Sequence, residues 1–255
     1  MFRIILLLVA LAVASAASFN ATELLKDPKG FTAGFLDWEL EGEKAVLKPN
    51  VASSSTLGVD ISQALSSSTA SCIIGEGYGS ILVPRGYTST GHVDSNMCSS
   101  IQAGISGGFS HVHTYLFPCP TCGDAAGQVN TLASALSSCS GFNGRIWIDV
   151  EGTQYWLGDY TKNQQFYQQL VDACNASKYS CGVYSSANNW NTLFGSTSYT
   201  YGSNLPAWYA HYDNDPSFND WASHSFGGFK PWGKQYAGDT TLCGFGVDKN
   251  YVPSP

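Results

Sequence analysis

Residues 145–152 read RIWIDVEG, a run that is apolar after Arg145 except for two carboxylates, Asp149 and Glu151, placed two positions apart. On a β-strand, side chains two apart point to the same face and lie roughly 6.5–7 Å from one another along the chain, so both acids look into one space. If that space is the interior of a barrel, the pair is a candidate active site.

Outward from this stretch, strand-like and helix-like segments alternate, the pattern of a parallel sheet with crossover helices. Leu57–Ile61, Ser80–Val83, His111–Phe117, Arg145–Val150 and Cys181–Ser185 read as strands. A helix is expected between Asp94 and Ile105, with Ile101 and Ile105 on its buried face. In Asp124–Ser138, Val129, Leu132, Ala133 and Leu136 recur at helical spacing. Thr161 and Gln164 have the form of a capping box for a helix over 161–175 that buries Phe166, Leu170, Val171 and Cys174. A short helix over Ala187–Phe194 follows, and beyond it only strands are expected: Pro206–His211, Trp232–Tyr236 and Phe245–Asn250. Five β/α units and three β units make eight strands, enough to close an α/β barrel of the TIM-like kind, (β/α)5(β)3.

Catalytic groups of β/α barrels sit at the C-terminal ends of the strands. Asp60 on the first strand and Asp248 on the last would be neighbours across the closure, facing Asp149 and Glu151 on the fourth. Converging carboxylates suit glycoside hydrolysis, in which one protonated acid serves the leaving oxygen and negative charge supports an oxocarbenium-like centre. Crowding also separates their pKa values, so that one acid keeps its proton while another is ionised. Glu151, with the longer reach and the later position, is the better proton donor.

The first residues have the form of a secretory leader: Arg3, an apolar run Ile4–Val13, then Ala14-Ser15-Ala16, with cleavage expected near Ala16 or Ala17. The apolar run is shorter than the ~20 residues a membrane span needs, so the mature chain is expected to carry no membrane anchor. Residues 17–57 form an extension or linker with no assigned role, ahead of a barrel over 58–255. Eight cysteines in an exported chain favour disulfides, with Cys174–Cys181 the expected local pair. Asn20 and Asn175 head glycosylation acceptor triplets. Charged residues are only 12% of the chain and the net charge is −7, which disfavours nucleic acid as a partner. Abundant Tyr and Trp suit an uncharged, aromatic surface for sugars.

GVDIS at 58–62, IDVEG at 148–152, WYAHY at 208–212 and QY at 235–236 followed by GVDKN at 246–250 resemble, in order, the motifs of glycoside hydrolase family 25, the Chalaropsis-type lysozymes. The resemblance covers 58–250 and leaves 17–56 uncovered. It implies an N-acetylmuramidase cutting the β-1,4 bond between N-acetylmuramic acid and N-acetylglucosamine in bacterial peptidoglycan; separately, a monomer without cofactor or metal is expected. It assigns Glu151 as the catalytic acid, with Asp60, Asp149 and Asp248 in support. Whether a carboxylate or the substrate's acetamido group acts as nucleophile stays open; the acetamido route, with Asp149 orienting the group, is the preferred one. Tyr115, Tyr184, Trp208 and Gln235 stand at motif positions as candidate sugar contacts, or as plain barrel packing. Two features depart from the pattern: Lys249 follows Asp248 where an apolar residue is common, and cysteines are many, which suggests an exported eukaryotic branch. The expected destination is the extracellular space or the lumen of a lysosome or phagosome, for defence or digestion of bacteria.

Other readings compete. Asp149 and Glu151 could form a rim salt bridge or a loop cap, and Asp60 and Asp248 could cap turns. Cys119-Pro-Thr-Cys122 has redox or zinc spacing, but no second pair accompanies it, which favours a structural disulfide. His111 and His113 could be two metal ligands, although His92, His211 and His224 offer no supporting motif. A chitinase-like hydrolase would share D-x-E, and a non-catalytic sugar-binding barrel would share the fold.

Overall fold

The computed structural model describes residues 56–253 and, apart from them, the backbone of a two-stranded antiparallel ribbon, Trp38–Glu41 with Lys44–Leu47. The leader, the Asn20 acceptor and the rest of the extension lie outside the described residues.

The barrel strands are β1 (Leu57–Ile61), β2 (Ile81–Thr88), β3 (Thr114–Leu116), β4 (Arg145–Val150), β5 (Ser180–Ser185), β6 (Pro206–Ala210), β7 (Lys230–Leu242) and β8 (Phe245–Tyr251). Neighbours pair in that order, parallel from β1 to β7. The last strand is different: β8 is antiparallel to both β7 and β1, and its pairing with β1 closes the ring. Helices α1 (Ser67–Gly75), α2 (Met97–Gly107), α3 (Ala125–Leu136), α4 (Tyr160–Ala176) and α5 (Ala187–Phe194) follow the first five strands. The architecture is the expected (β/α)5(β)3 barrel.

Strand alternation organises the core. On β4, Ile146, Ile148 and Val150 belong to the large apolar cluster that includes residues of all five helices, whereas Trp147 belongs to a second cluster with Ile81, Val83, Tyr184, Trp208 and Val252. The barrel interior is therefore filled with aromatic rings, a packed core and not a pore. Trp147 lies 5.8 Å from Trp208 and 4.6 Å from Trp232, centroid to centroid.

Several local expectations shift. Helix α1 escapes the sequence reading because its buried face is only Ala70 and Ile73; Ser66 starts it by accepting from the Thr69 amide at 3.1 Å. In α2, Ile101 is buried but Ile105 is 40% exposed. The inward face runs through Met97, Ser100, Ile101, Gly104 and Gly107, small residues that a search for large apolar side chains overlooks. Gly104 is required there, since a Cβ would come within 2.3 Å of Leu82. Helix α4 is capped not by Thr161 but by Asp159, whose carboxylate accepts from the Lys162 amide at 3.0 Å; Gln164 instead donates to the Phe194 carbonyl. The run 111–117 is broken at His113 into two short pieces. A single helical turn, Trp221–His224, lies between β6 and β7, where none was expected.

The eight cysteines form four disulfides: Cys72–Cys243, Cys98–Cys139, Cys119–Cys122 and Cys174–Cys181. The two short-range pairs are those the spacing favoured. His111 and His113 are not a matched pair, because His111 is exposed while His113 is buried, stacks on Trp232 and accepts from the Trp147 indole at 3.1 Å.

Candidate active site

The inward residues of β4, from one end of the barrel to the other, are Arg145, Trp147 and Asp149, and Glu151 follows directly. Arg145 is thus separated from the acids by about 13 Å of strand, and its guanidinium donates to the Cys181 carbonyl instead. Among the described residues none of the four acids, Asp60, Asp149, Glu151 and Asp248, has an ion-pair partner. The salt-bridge reading of the β4 pair fails for this reason.

Glu151 is placed at the mouth by what comes after it. Gly152 adopts φ +64°, a left-handed turn that bulkier residues resist, and a Cβ there would approach the Tyr155 ring within 2.7 Å. The Glu151 carbonyl is held by the Trp156 indole at 2.9 Å. Asp149 lies deeper, only 2% exposed, opposite Tyr184 of β5 in the strand register.

The facing wall is built from β7, β8 and β1. Asp60 and Asp248 are register partners across the closing strands. Asp248 lies mid-strand, not at a strand's C-terminal end; because β8 runs backwards, the C-terminal rule does not locate it. The centre of this wall is Gln235. Its amide nitrogen donates to Asp60 Oδ2 at 2.9 Å and Asp248 Oδ2 at 3.3 Å, while its oxygen accepts from the hydroxyls of Tyr184 at 2.5 Å and Tyr212 at 2.8 Å. Asn250 adds a second donor to Asp60 Oδ2 at 2.7 Å and is itself oriented by the Trp208 indole at 2.8 Å. The other oxygen of Asp248 accepts from the Asp239 amide at 2.7 Å, so this residue also braces the β7–β8 turn. Lys249, the next residue, points away to the Tyr78 ring, as strand alternation predicts.

Of the expected sugar contacts, Tyr184, Trp208 and Gln235 are buried. They hold the carboxylates in place and offer no open ring face. Tyr115 is partly exposed and, with Asp60, Gln63, Asp239 and Asp248, lines a groove of about 360 Å³. Sequence reasoning missed Tyr212, Asn250 and Tyr155. Alternation from Trp208 through Ala210 would have found Tyr212, and the same step from Asp248 finds Asn250. Tyr155, exposed and edge-on to Phe117 at 5.3 Å, follows a turn and carries no such signal.

The electrostatics raise all four acids. Burial, reinforced by the charge of Asp248, pushes Glu151 up from 4.5 to about 7. Burial raises Asp149 well above the ordinary carboxylate range, with Glu151 and Asp60 adding to it. Burial and Asp248 likewise raise Asp60, opposed by the donors Asn250 and Gln235. Burial raises Asp248 too, opposed by the Asp239 amide. A carboxyl near pH 7 at a cleft mouth is poised to give and take a proton.

Comparison with known proteins agrees. The Lysozyme-like protein 1 family matches residues 51–236, a stretch that contains Asp60, Asp149, Glu151 and Gln235. The chain is 40% identical over 196 residues to a probable GH family 25 lysozyme 2 of Dictyostelium discoideum, covering 77% of this chain and 90% of the relative. It is 37% identical over 198 residues to a probable GH family 25 lysozyme 4 of the same organism, with the same coverage. The solved muramidase of Acremonium alcalophilum shares the fold with a TM-score of 0.60 at 18% identity, covering 78% of this chain and 94% of that one. With its barrel, its four acids and these relatives together, the chain belongs to the glycoside hydrolase family 25 lysozymes.

Proposed function

We propose that the protein cleaves the β-1,4 bond between N-acetylmuramic acid and N-acetylglucosamine in bacterial peptidoglycan, with Glu151 as general acid. The observation that carries this is Glu151 itself, at the mouth of the bowl and raised to about 7 beside three further carboxylates. In the first step the Glu151 proton passes to the glycosidic oxygen as the bond to the sugar's anomeric carbon breaks. The acetamido oxygen of that sugar closes on the same carbon, and charge develops on the ring it forms. Water, deprotonated by Glu151, then reopens the ring and restores the acid.

Asp149 fits the steering role. Its Oδ1 is buried and has no hydrogen-bond partner within the protein, and an acetamido N–H would satisfy it. Asp60 and Asp248, fixed by Gln235, hold carboxyl oxygens in place for the cationic centre. The chain is proposed to be exported through its leader, outside the cell or into a lysosomal or phagosomal lumen. Asn175, exposed near the end of α4, is the proposed glycan site among the described residues. Among the same residues no helix is long and apolar enough to cross a membrane.

The test is digestion of purified peptidoglycan and of chitin by the wild type and Glu151→Gln, from pH 4 to 8, with identification of the new reducing ends. Muramic-acid ends from the wild type, reduced by ~10²–10⁴-fold in the variant, are expected. Products from chitin alone point to the chitinase-like reading, and none at all to a sugar-binding barrel.

A further inference from the structure

The segment between β6 and β7 folds two histidines onto one carboxylate, away from the four acids. His211 Nδ1 lies 2.6 Å from Asp220 Oδ2, and His224 Nδ1 lies 3.6 Å from the same oxygen. The imidazoles stack with centroids 3.7 Å apart. Asp213 Oδ2 lies 3.3 Å from His211 Nδ1 but is taken up by the Lys234 ammonium at 2.7 Å. We propose that His211, His224 and Asp220 form a binding site for a divalent transition-metal ion of the zinc type.

Three physical features support this. Tetrahedral zinc with ligands at 2.0–2.2 Å sets neighbouring donors roughly 3.3 Å apart; the two imidazole nitrogens lie 2.6 and 3.6 Å from Asp220 Oδ2, and all three donors lie within 4.8 Å of one another. The Asp220 carboxylate is anchored from behind, as metal-binding carboxylates usually are. Tyr209 donates to Asp220 Oδ1 at 2.7 Å, and the buried Lys234 ammonium reaches Asp213 Oδ2 at 2.7 Å and Asp220 Oδ1 at 3.1 Å. That leaves Asp220 Oδ2 facing the imidazoles, and two carboxylates against one ammonium leave the pocket net negative. Finally, both imidazole side chains are about a third exposed, 35% and 34%, which gives an ion a path in. The bound ion replaces the hydrogen bonds between the imidazoles and Asp220. It also ties the Trp221–His224 turn to the end of β6, one residue before Tyr212, which orients Gln235.

The test uses the intact protein, stripped with chelator, and Zn²⁺ or Co²⁺ as probe. Zinc is expected to raise Tm, as a ligand of the folded state must. Cobalt is expected to give the intense visible bands of tetrahedral coordination. His224→Ala should lose both effects, with affinity weakened roughly tenfold or more. His224→Asn repeats the test if the alanine variant does not fold. His92→Ala and His111→Ala, which alter exposed histidines elsewhere, should leave binding unchanged. Absence of a cobalt spectrum, or a zinc response identical in the His224 variants and the wild type, overturns the proposal.

Discussion

Asp60 and Asp149 are both buried in the same bowl, at 7% and 2% exposure, yet their surroundings are opposite. One oxygen of Asp60 takes two amide donors, Gln235 and Asn250, each oriented by a further side chain. Asp149 keeps an oxygen with no partner at all. An unsatisfied buried acceptor costs about 1–3 kcal/mol, and such costs persist where function needs the group. The β7–β8–β1 wall is thus satisfied within the protein, whereas the β4 wall keeps an open acceptor, which on the proposed mechanism the substrate completes.

The comparison breaks most visibly at the two aspartates. Asp149→Asn is expected to lower kcat by ~10²–10³-fold, the scale for losing one aligned polar group in a transition state, while leaving Tm unchanged or raised. Asp60→Ala should lower both kcat and Tm, because it leaves the amide donors of Gln235 and Asn250 without their acceptor. Thermal melts and peptidoglycan turnover of the pair check this; a larger stability loss at Asp149 than at Asp60 would reverse the assignment of the walls.

Next in size is the pH dependence of stability. Because the folded-state pKa of Glu151 is raised from 4.5 to about 7, the folded chain binds a proton that the unfolded chain releases between those values. Its contribution is full below pH 4.5 and is lost as pH rises through 7, up to roughly 3 kcal/mol. Asp60, Asp149 and Asp248 shift in the same direction. Denaturant melts should show greater stability at pH 5 than at pH 8, and Glu151→Gln should flatten that difference.

The organised wall is also stapled, since Cys243 in the β7–β8 turn is bonded to Cys72 of α1. Removing the bond with Cys72→Ser and Cys243→Ser should cost about 2–5 kcal/mol in a melt, and it should lower activity more than loss of Cys174–Cys181, which lies on the far side of β5. The smallest effect is expected at Tyr212→Phe. Losing one of the two hydroxyls on Gln235 should cost about 0.5–1.5 kcal/mol, read as a several-fold fall in kcat.

Much of this was legible beforehand, for identifiable reasons. Helices α3 and α4 carry a regular apolar face, and β4 and β6 alternate, so periodicity places Asp149 beside Glu151 and Trp208 inside. Helix α1 was not legible, because its Ser- and Thr-rich sequence shows only two inward apolar side chains. Ile105 was misplaced because glycines form the true inward face of α2. Asp248 was singled out by the end-of-strand rule and by its motif, but the rule does not apply to it, because β8 runs opposite to the strands on which the rule is based.

The sequence by itself determined the alternation of 145–151, the count of barrel strands and, through ordered motifs, the four candidate acids and the family. Periodicity and residue type are local properties, and they need no knowledge of what lies across the barrel. Only the tertiary structure decided which oxygens are satisfied: Gln235 joins residues 13 to 175 positions away, and Asn250 reaches Asp60 over 190. It also decided that His211 and His224 share one carboxylate. Such partners meet only when the sheet closes and the β6–β7 segment folds back, and no local pattern carries that information.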